Sequence, residues 1–283
     1  MASQRILLLL VNYFNETEIC SFVLEQIQSQ TWKQLEVVIT DNGSHDHNKL
    51  LRLSTDISWV HIFQAVGNIG YLPGAAYGLS KYLDMGFDFP QFVILANSDI
   101  EFENDMFLET LAMGKERSEY DIIGPDIFSD LLHHHQNPLM TRRISILKLR
   151  ALAFFSSNAL LHYLFLTFYY GKSLLKLIFH KEGKEDHGII PVYGVHGSFM
   201  IFNKSFFNKG GTLDYPFHLF GEEIYLAEFA LENRMLVGYD PGLKIIHHEH
   251  QTTGIYESRK SVRQMNRSYN QLLDLRKRGT NMI

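Results

Sequence analysis

A single cysteine, Cys20, excludes an internal disulfide; it fits a reducing compartment and is expected to pack inside a helix. No excess of positive charge is present either: 26 Lys and Arg face 31 Asp and Glu, a net charge of -5, so nucleic acid is not an expected partner. Glycine-rich nucleotide loops are missing, since neither the dinucleotide-binding glycine pattern nor a P-loop lysine occurs. Asn12 to Glu18 contains no Arg or Lys, which argues against a sugar nucleotidyltransferase, whose triphosphate loop should be basic there. The apolar run Ile6 to Val11 is short and no small-residue cleavage site follows, so a first buried strand is expected rather than an export signal. Internal repeats and low-complexity linkers are absent as well.

What is present is 283 residues of ordinary apolar content, enough for one large α/β domain or two small ones. Strands are predicted over Ile6 to Val11, Leu35 to Thr40, Trp59 to Phe63, Gln91 to Ala96 and Asp121 to Gly124. Helices are predicted between them over Glu16 to Gln30, Asp46 to Leu53, Leu72 to Asp84 and Glu103 to Lys115. Strands that are apolar throughout and alternate with helices imply a mainly parallel sheet with helices on both faces, an α/β, Rossmann-like class.

The run Phe92 to Ala96 ends abruptly in Asn97-Ser98-Asp99, at the strand end where open α/β sheets bind ligands. The plainer reading is a cap for the helix expected near Glu103. Asp41, in Asp41-Asn42-Gly43-Ser44, sits at the end of the second strand, where a carboxylate can accept from a base or ribose; Gly43 suits the turn and Asp46 the next helix cap. From Gly67 to Gly78 small residues crowd the start of a helix. They serve either a diphosphate at the helix N-terminus or close packing of helix on sheet.

Later in the chain, strands are expected over Gly197 to Phe202, Met235 to Tyr239 and Lys244 to His248, and a helix over Gly221 to Glu232. Ala151 to Gly171 contains no Asp, Glu, Lys or Arg, while Lys148, Arg150, Lys172 and Lys176 flank it. About 20 such residues can just cross a bilayer. Crossing would separate the two halves of a shared site, so helices lying in the membrane interface are favoured, with a buried helical pair or a homodimer contact as the plainer reading. The basic tail, Glu257 to Arg278, reads as a solvated helix or a second contact with anionic lipid or phosphate. Boundaries follow at 1–125, 126–190, 191–256 and 257–283: an alternating strand–helix half, a hydrophobic and basic helical insertion, a second strand–helix half and a basic tail.

Asn12-Tyr13, Asp41-Asn42-Gly-Ser, Asn68-Ile-Gly70 and Leu95-Ala-Asn97-Ser-Asp99 occur in one order, followed by Phe220-Gly221-Glu222-Glu223 and the segment His247 through Gly254. Together they resemble family 2 glycosyltransferases of the GT-A fold, in particular the rhamnosyltransferase-like branch, over roughly Ile6 to Gly254 without the insertion. The resemblance implies an inverting transferase with a nucleotide-diphosphate sugar donor (dTDP-, UDP- or GDP-linked) and a saccharide acceptor, lipid-linked at the inner face of the cell membrane in bacterial surface polysaccharide synthesis. Asn12, Asp41, Asn68, Gly70, Asn97 and Ser98 would bind the donor, and Gly197 and Ser198 would border the acceptor. A divalent ion, Mn2+ or Mg2+, would rest on Asp99 with His247, or else His248. Glu223 matches the usual Asp base and Glu222 the residue before it, with the choice between them open; the alternative is two acids favouring the dipole of a helix first turn. A binding module that kept the fold without activity is the remaining alternative, since Asn97 and Glu223 depart from the common pattern. His133, His134 and His135 receive no role.

Overall fold

A computed structural model describes residues 4–167, 188–216, 220–248 and 259–277. Four parallel strands form one half of the sheet: β1 (Ile6–Asn12), β2 (Leu35–Asp41), β3 (Val60–Gln64) and β4 (Phe92–Ala96). Leu8 stands level with both Val37 and Ile94. Alternate residues of a strand point to opposite faces, so an all-apolar strand must be covered twice. That is what is observed. Leu7, Leu9, Val38, Val93 and Leu95 pack with helix α3 (Tyr71–Asp84). Ile6, Leu8, Leu10, Val37 and Ile94 pack with α1 (Glu16–Ser21) and α2 (His47–Asp56). Each such Leu, Ile or Val contributes about 1.5–3 kcal/mol. Cys20 is buried in α1, as expected.

Beyond β4 the sheet stops being parallel. The remaining strands in chain order are β5 (Ile100–Phe102), β6 (Ile122–Ser129), β7 (His134–His135), β8 (Ile190–Pro191), β9 (Phe199–Asn203) and β10 (Val237–His247). The main path runs β3-β2-β1-β4-β9-β6-β10-β5, with β7 on β6 and β8 on β10. β9 runs antiparallel between β4 and β6, and β5 runs antiparallel to the end of β10. The two late strands expected from sequence are thus one, bent where its register shifts between Asp240 and Lys244.

The helix expected from Glu103 forms only as α4 (Phe107–Met113), followed by a tight turn over Lys115–Glu119. Helix α1 continues into a wider helical turn over Phe22–Ile27. In α3, an added Cβ at Gly78 would meet Thr40 Oγ1 at 2.5 Å, and one at Gly74 would meet Val11 Cγ1 at 2.9 Å. Those two small residues therefore serve close packing of helix on sheet.

The described part of the insertion forms α5 (Ile146–Phe155) and α6 (Ala159–Thr167), which meet at 118°. Among the described residues no single helix is long and apolar enough to cross a membrane. After these come α7 (Lys204–Asn208), α8 (Glu222–Glu232) and α9 (Arg259–Lys277). α9 is more than a solvated basic helix. It buries Val262, Met265, Leu272 and Leu273, its Asn266 donates to Ala153 O of α5 at 2.6 Å, and Arg276 pairs with buried Glu228 at 2.7 Å. Arg259, Lys260, Arg263 and Arg267 lie on its exposed side. Lys172, Lys176, His250, Gly254, Glu257 and Arg278 lie outside the described residues.

Candidate active site

The carboxyl ends of β1, β2 and β4 and the start of β9 border one region. At its first edge Asn12 and Asp41 are paired by strand register, and Asn12 Nδ2 donates to Asp41 Oδ1 at 2.8 Å. The Gly43 N–H also donates to that oxygen, while Ser44 Oγ and His47 Nδ1 donate to the other, at 2.9 and 2.6 Å. Burial alone would push the Asp41 carboxyl up, but these hydrogen bonds outweigh it and hold the group below its ordinary range. Asp41 is thus an ionised residue that fixes the loop after β2. Beside it Tyr13 and Phe14 are exposed, and the Phe14 ring lies 4.6 Å from that of His45.

Asn68 and Gly70 shape the start of α3. Asn68 Oδ1 accepts from Gly70 N at 3.0 Å, and Gly70, at φ 103°, holds a left-handed conformation that favours glycine. Asn42 Nδ2 then ties Gly70 O to the loop after β2 at 2.8 Å. A second tie crosses the region: Asn15 Nδ2 donates to Ser98 Oγ at 2.8 Å. Asn97 is fixed through its backbone, its N–H donating to Ser198 O at 2.8 Å.

No helix follows Asp99, so the capping alternative does not apply. β5 begins at the next residue, and its pairing sets Ile100 opposite His247 on β10. Asp99 and His247 are both buried, with Asp99 Oδ1 3.3 Å from His247 Nε2. The other ring nitrogen, Nδ1, lies 2.8 Å from Gln136 Oε1. An amide oxygen only accepts, so Nδ1 carries the hydrogen and Nε2 presents a lone pair. Asp99 Oδ1 has no hydrogen-bond partner. A bare nitrogen and an unpartnered buried carboxylate oxygen at this spacing suit two neighbouring ligands of one divalent ion, whose bonds are about 2.1 Å. The donor set therefore fits the implied metal, although among the described residues no cluster of three or more ligating side chains occurs.

His248 is arranged differently. Its Nδ1 meets Asp130 at 2.5 Å and its Nε2 meets Glu101 at 3.0 Å, so both nitrogens are engaged by carboxylates. Burial works against its charge, but those carboxylates outweigh it and raise its pKa. Only its backbone touches Asp99, by donating to Asp99 O at 2.9 Å.

Across the region, Gly221 at φ 86° starts α8 and delivers Glu222 and Glu223. Glu222 is buried with Oε2 unpartnered; burial first, and then the charge of Glu223, pushes its carboxyl up to about 8. Glu223 is also raised by burial, but its own N–H and that of Gly197 oppose the shift. Those two N–H groups favour the charged form of Glu223. A Cβ at Gly197 would lie 2.8 Å from Glu223 Oε1, so a larger residue there would push the Glu223 carboxylate aside.

Two further side chains, for which the sequence reading proposed no role, border the same space. Tyr71 follows Gly70 directly, and its hydroxyl reaches within 3.5 Å of Gly197 O. Burial first, then the carboxylates of Glu222, Asp99 and Glu223, hold it un-ionised. His196 precedes Gly197, its ring 5.9 Å from that of His247; burial and the neighbouring histidines lower its pKa to about 3. Adjacency to the small-residue and Gly197-Ser198 motifs was the available signal for both.

No family model matches the chain. It is 25% identical over 272 residues to the low-salt glycan biosynthesis hexosyltransferase Agl10 of Haloferax volcanii, covering 96% of this chain and 73% of that one. Solved structures show the same architecture at low identity. GalNAc-T7 with UDP, GalNAc and Mn2+ aligns over 96% of this chain with a TM-score of 0.60 at 12% identity. S. aureus TarS in complex with UDP-GlcNAc aligns over 95% with a TM-score of 0.57 at 12% identity. The chain has the GT-A fold, and the relatives it resembles are glycosyltransferases. It spans 48% of the GalNAc-T7 chain and 66% of the TarS chain. In this GT-A scaffold the β1, β2 and β4 ends carry Asn12, Asp41 and Asp99, while the segment before β9, the start of α8 and the end of β10 carry Gly197, Glu223 and His247.

Proposed function

We propose that the chain is an inverting glycosyltransferase that moves a hexosyl or rhamnosyl unit from a dTDP-, UDP- or GDP-linked sugar to a hydroxyl of a saccharide acceptor. The observation that carries this reading is that the Asp99–His247 pair and the Glu222–Glu223 pair share one neighbourhood: Asp99, Glu222 and Glu223 all bear on the Tyr71 hydroxyl. One pair suits a metal-bound diphosphate and the other a proton. Asn12, Asp41, Asn68, Gly70, Asn97 and Ser98 form the donor edge, with Tyr13 and Phe14 offering apolar faces to a base.

Glu223, whose charged form is favoured by its own N–H and that of Gly197, removes the proton of the acceptor hydroxyl as its oxygen bonds to the anomeric carbon. The bond to the diphosphate breaks on the opposite side, which inverts the centre. Asp99 and His247 would hold a divalent ion, Mn2+ or Mg2+, which when bound would supply Lewis-acid stabilisation of the charge on the departing diphosphate. Glu222, protonated below about pH 8, keeps a second negative charge away from Glu223. Gly197 and Ser198 border the acceptor, and the Gly197 N–H orients the base.

The acceptor in this proposal is lipid-linked, and the protein works in the cytoplasm, peripherally at the inner face of the membrane, in bacterial surface polysaccharide synthesis. Support comes from α5 and α6, where Leu147, Phe154, Leu160 and Leu164 are 57–76% exposed beside exposed Arg142, Lys148 and Arg150. That combination suits an interface with anionic lipid. Incubation with nucleotide sugars, followed by NMR assignment of the product's anomeric configuration, tests the reaction. Inversion supports the proposal, and retention contradicts it.

A further inference from the structure

Consecutive residues Gln136 and Asn137 carry the two histidines of the site. Gln136 Oε1 holds His247 Nδ1 at 2.8 Å. Asn137 Oδ1 accepts the backbone N–H of His196 at 2.8 Å, and its Nδ2 is anchored on Pro125 O of β6 at 2.9 Å. The His196 and His247 rings stand 5.9 Å apart, nearly edge to face.

Their tautomers are opposite. The Ser198 backbone N–H reaches His196 Nδ1 at 3.2 Å, and Ser198 Oγ lies 2.9 Å from the same nitrogen. A backbone N–H can only donate, so His196 Nδ1 is the bare nitrogen and the neutral ring carries its hydrogen on Nε2, on the side away from Ser198. His247 presents a lone pair to Asp99; His196, beside it, presents an N–H. A lone pair is useful to a cation, and an N–H to an anionic oxygen. A cation-bound diphosphate offers both. In this tautomer Nε2 of His196 cannot ligate the metal, which separates its role from that of His247.

We propose that His196 is a diphosphate-binding residue, donating its Nε2–H to a phosphate oxygen of the sugar nucleotide. This rests on the nucleotide-sugar reading above. A hydrogen bond to a charged oxygen in such a site corresponds to about ten- to a hundredfold in affinity.

Calorimetric titration with UDP, GDP and dTDP in the presence of Mn2+, each with its monophosphate for comparison, tests it. His196→Ala is expected to weaken binding of the preferred diphosphate about tenfold or more while shifting the monophosphate by no more than about twofold. His196→Gln, whose amide N–H reaches a similar position, is expected to recover most of the loss. Equal diphosphate affinity in wild type and His196→Ala would overturn the inference alone. So would a parallel loss for both nucleotides, unrescued by Gln and accompanied by a lower Tm, which marks a structural role. Wild-type protein that bound none of the three diphosphates would overturn the donor reading, and this inference with it.

Discussion

His247 turns its bare Nε2 toward the unpartnered Oδ1 of Asp99 at 3.3 Å, and the pairing of β5 with β10 holds the two together. With the ring neutral, a lone pair meets a carboxylate oxygen, a contact that a cation between them would turn to advantage. Mn2+ with a matching nucleoside diphosphate is therefore expected to raise the Tm of the wild type. Asp99→Asn and His247→Ala should each remove that rise. Scanning calorimetry reads the effect, since a ligand at about 100 times its Kd contributes about 2.7 kcal/mol.

Gln136 fixes the His247 ring without reaching the metal position itself. Replacing it with Leu leaves the ring free to rotate or change tautomer. Mn2+ affinity in the presence of nucleotide should fall about 10- to 100-fold, with the fold retained. Electron paramagnetic resonance of free Mn2+ measures this directly, and unchanged affinity would count against the tautomer argument.

The acid pair predicts a pH dependence with a definite sign. Glu222 is raised from 4.5 to about 8 in the folded protein, so its protonated form is favoured there. Its contribution to stability is complete below the unfolded value and is lost as pH rises toward about 8. Wild-type Tm should fall between about pH 4.5 and pH 8, by roughly 5 °C or more. Glu222→Gln should flatten that fall, and Glu223→Gln should lower the Glu222 pKa by removing the neighbouring charge. Turnover in wild type should rise with pH as Glu223 ionises and vanish in Glu223→Gln.

Gly197 and Gly78 separate function from stability. A methyl at Gly197 would press on Glu223 Oε1 at 2.8 Å, so Gly197→Ala should reduce kcat about 10- to 100-fold with little change in Tm. At Gly78 the obstacle is Thr40 Oγ1 at 2.5 Å, and Ala should cost about 1–3 kcal/mol of stability.

The exposed apolar side chains of α5 and α6 predict binding to vesicles containing anionic lipid. Leu147→Glu with Phe154→Glu should abolish flotation with such vesicles while leaving Tm within about 2 °C of wild type. Flotation unaffected by the double substitution would contradict the interfacial role.

The first half of the fold was legible because its strands are apolar throughout and its turns carry Asn, Asp and Gly. Every strand expected there is present, within a residue or two, except that the fifth runs on to Ser129. Strand β5 was not legible: three residues after Asn-Ser-Asp look like a helix cap, and only pairing with a strand some 140 residues later makes them a strand. The same non-local pairing sets the His247 ring, rather than that of His248, beside Asp99. Gln136 and Asn137 followed a histidine run with no periodic signal, so their support of His247 and His196 emerged only from the sheet. The basic tail hid its apolar face because four buried apolar residues are spread over 19 rich in Lys and Arg.

The most direct test of the central claim is release of nucleoside diphosphate, with or without acceptor, from a panel of UDP-, GDP- and dTDP-sugars in Mn2+ or Mg2+. The account predicts turnover of at least one donor by wild type and a loss of about 100-fold or more in both Asp99→Ala and Glu223→Gln. Equal rates in all three proteins would contradict it.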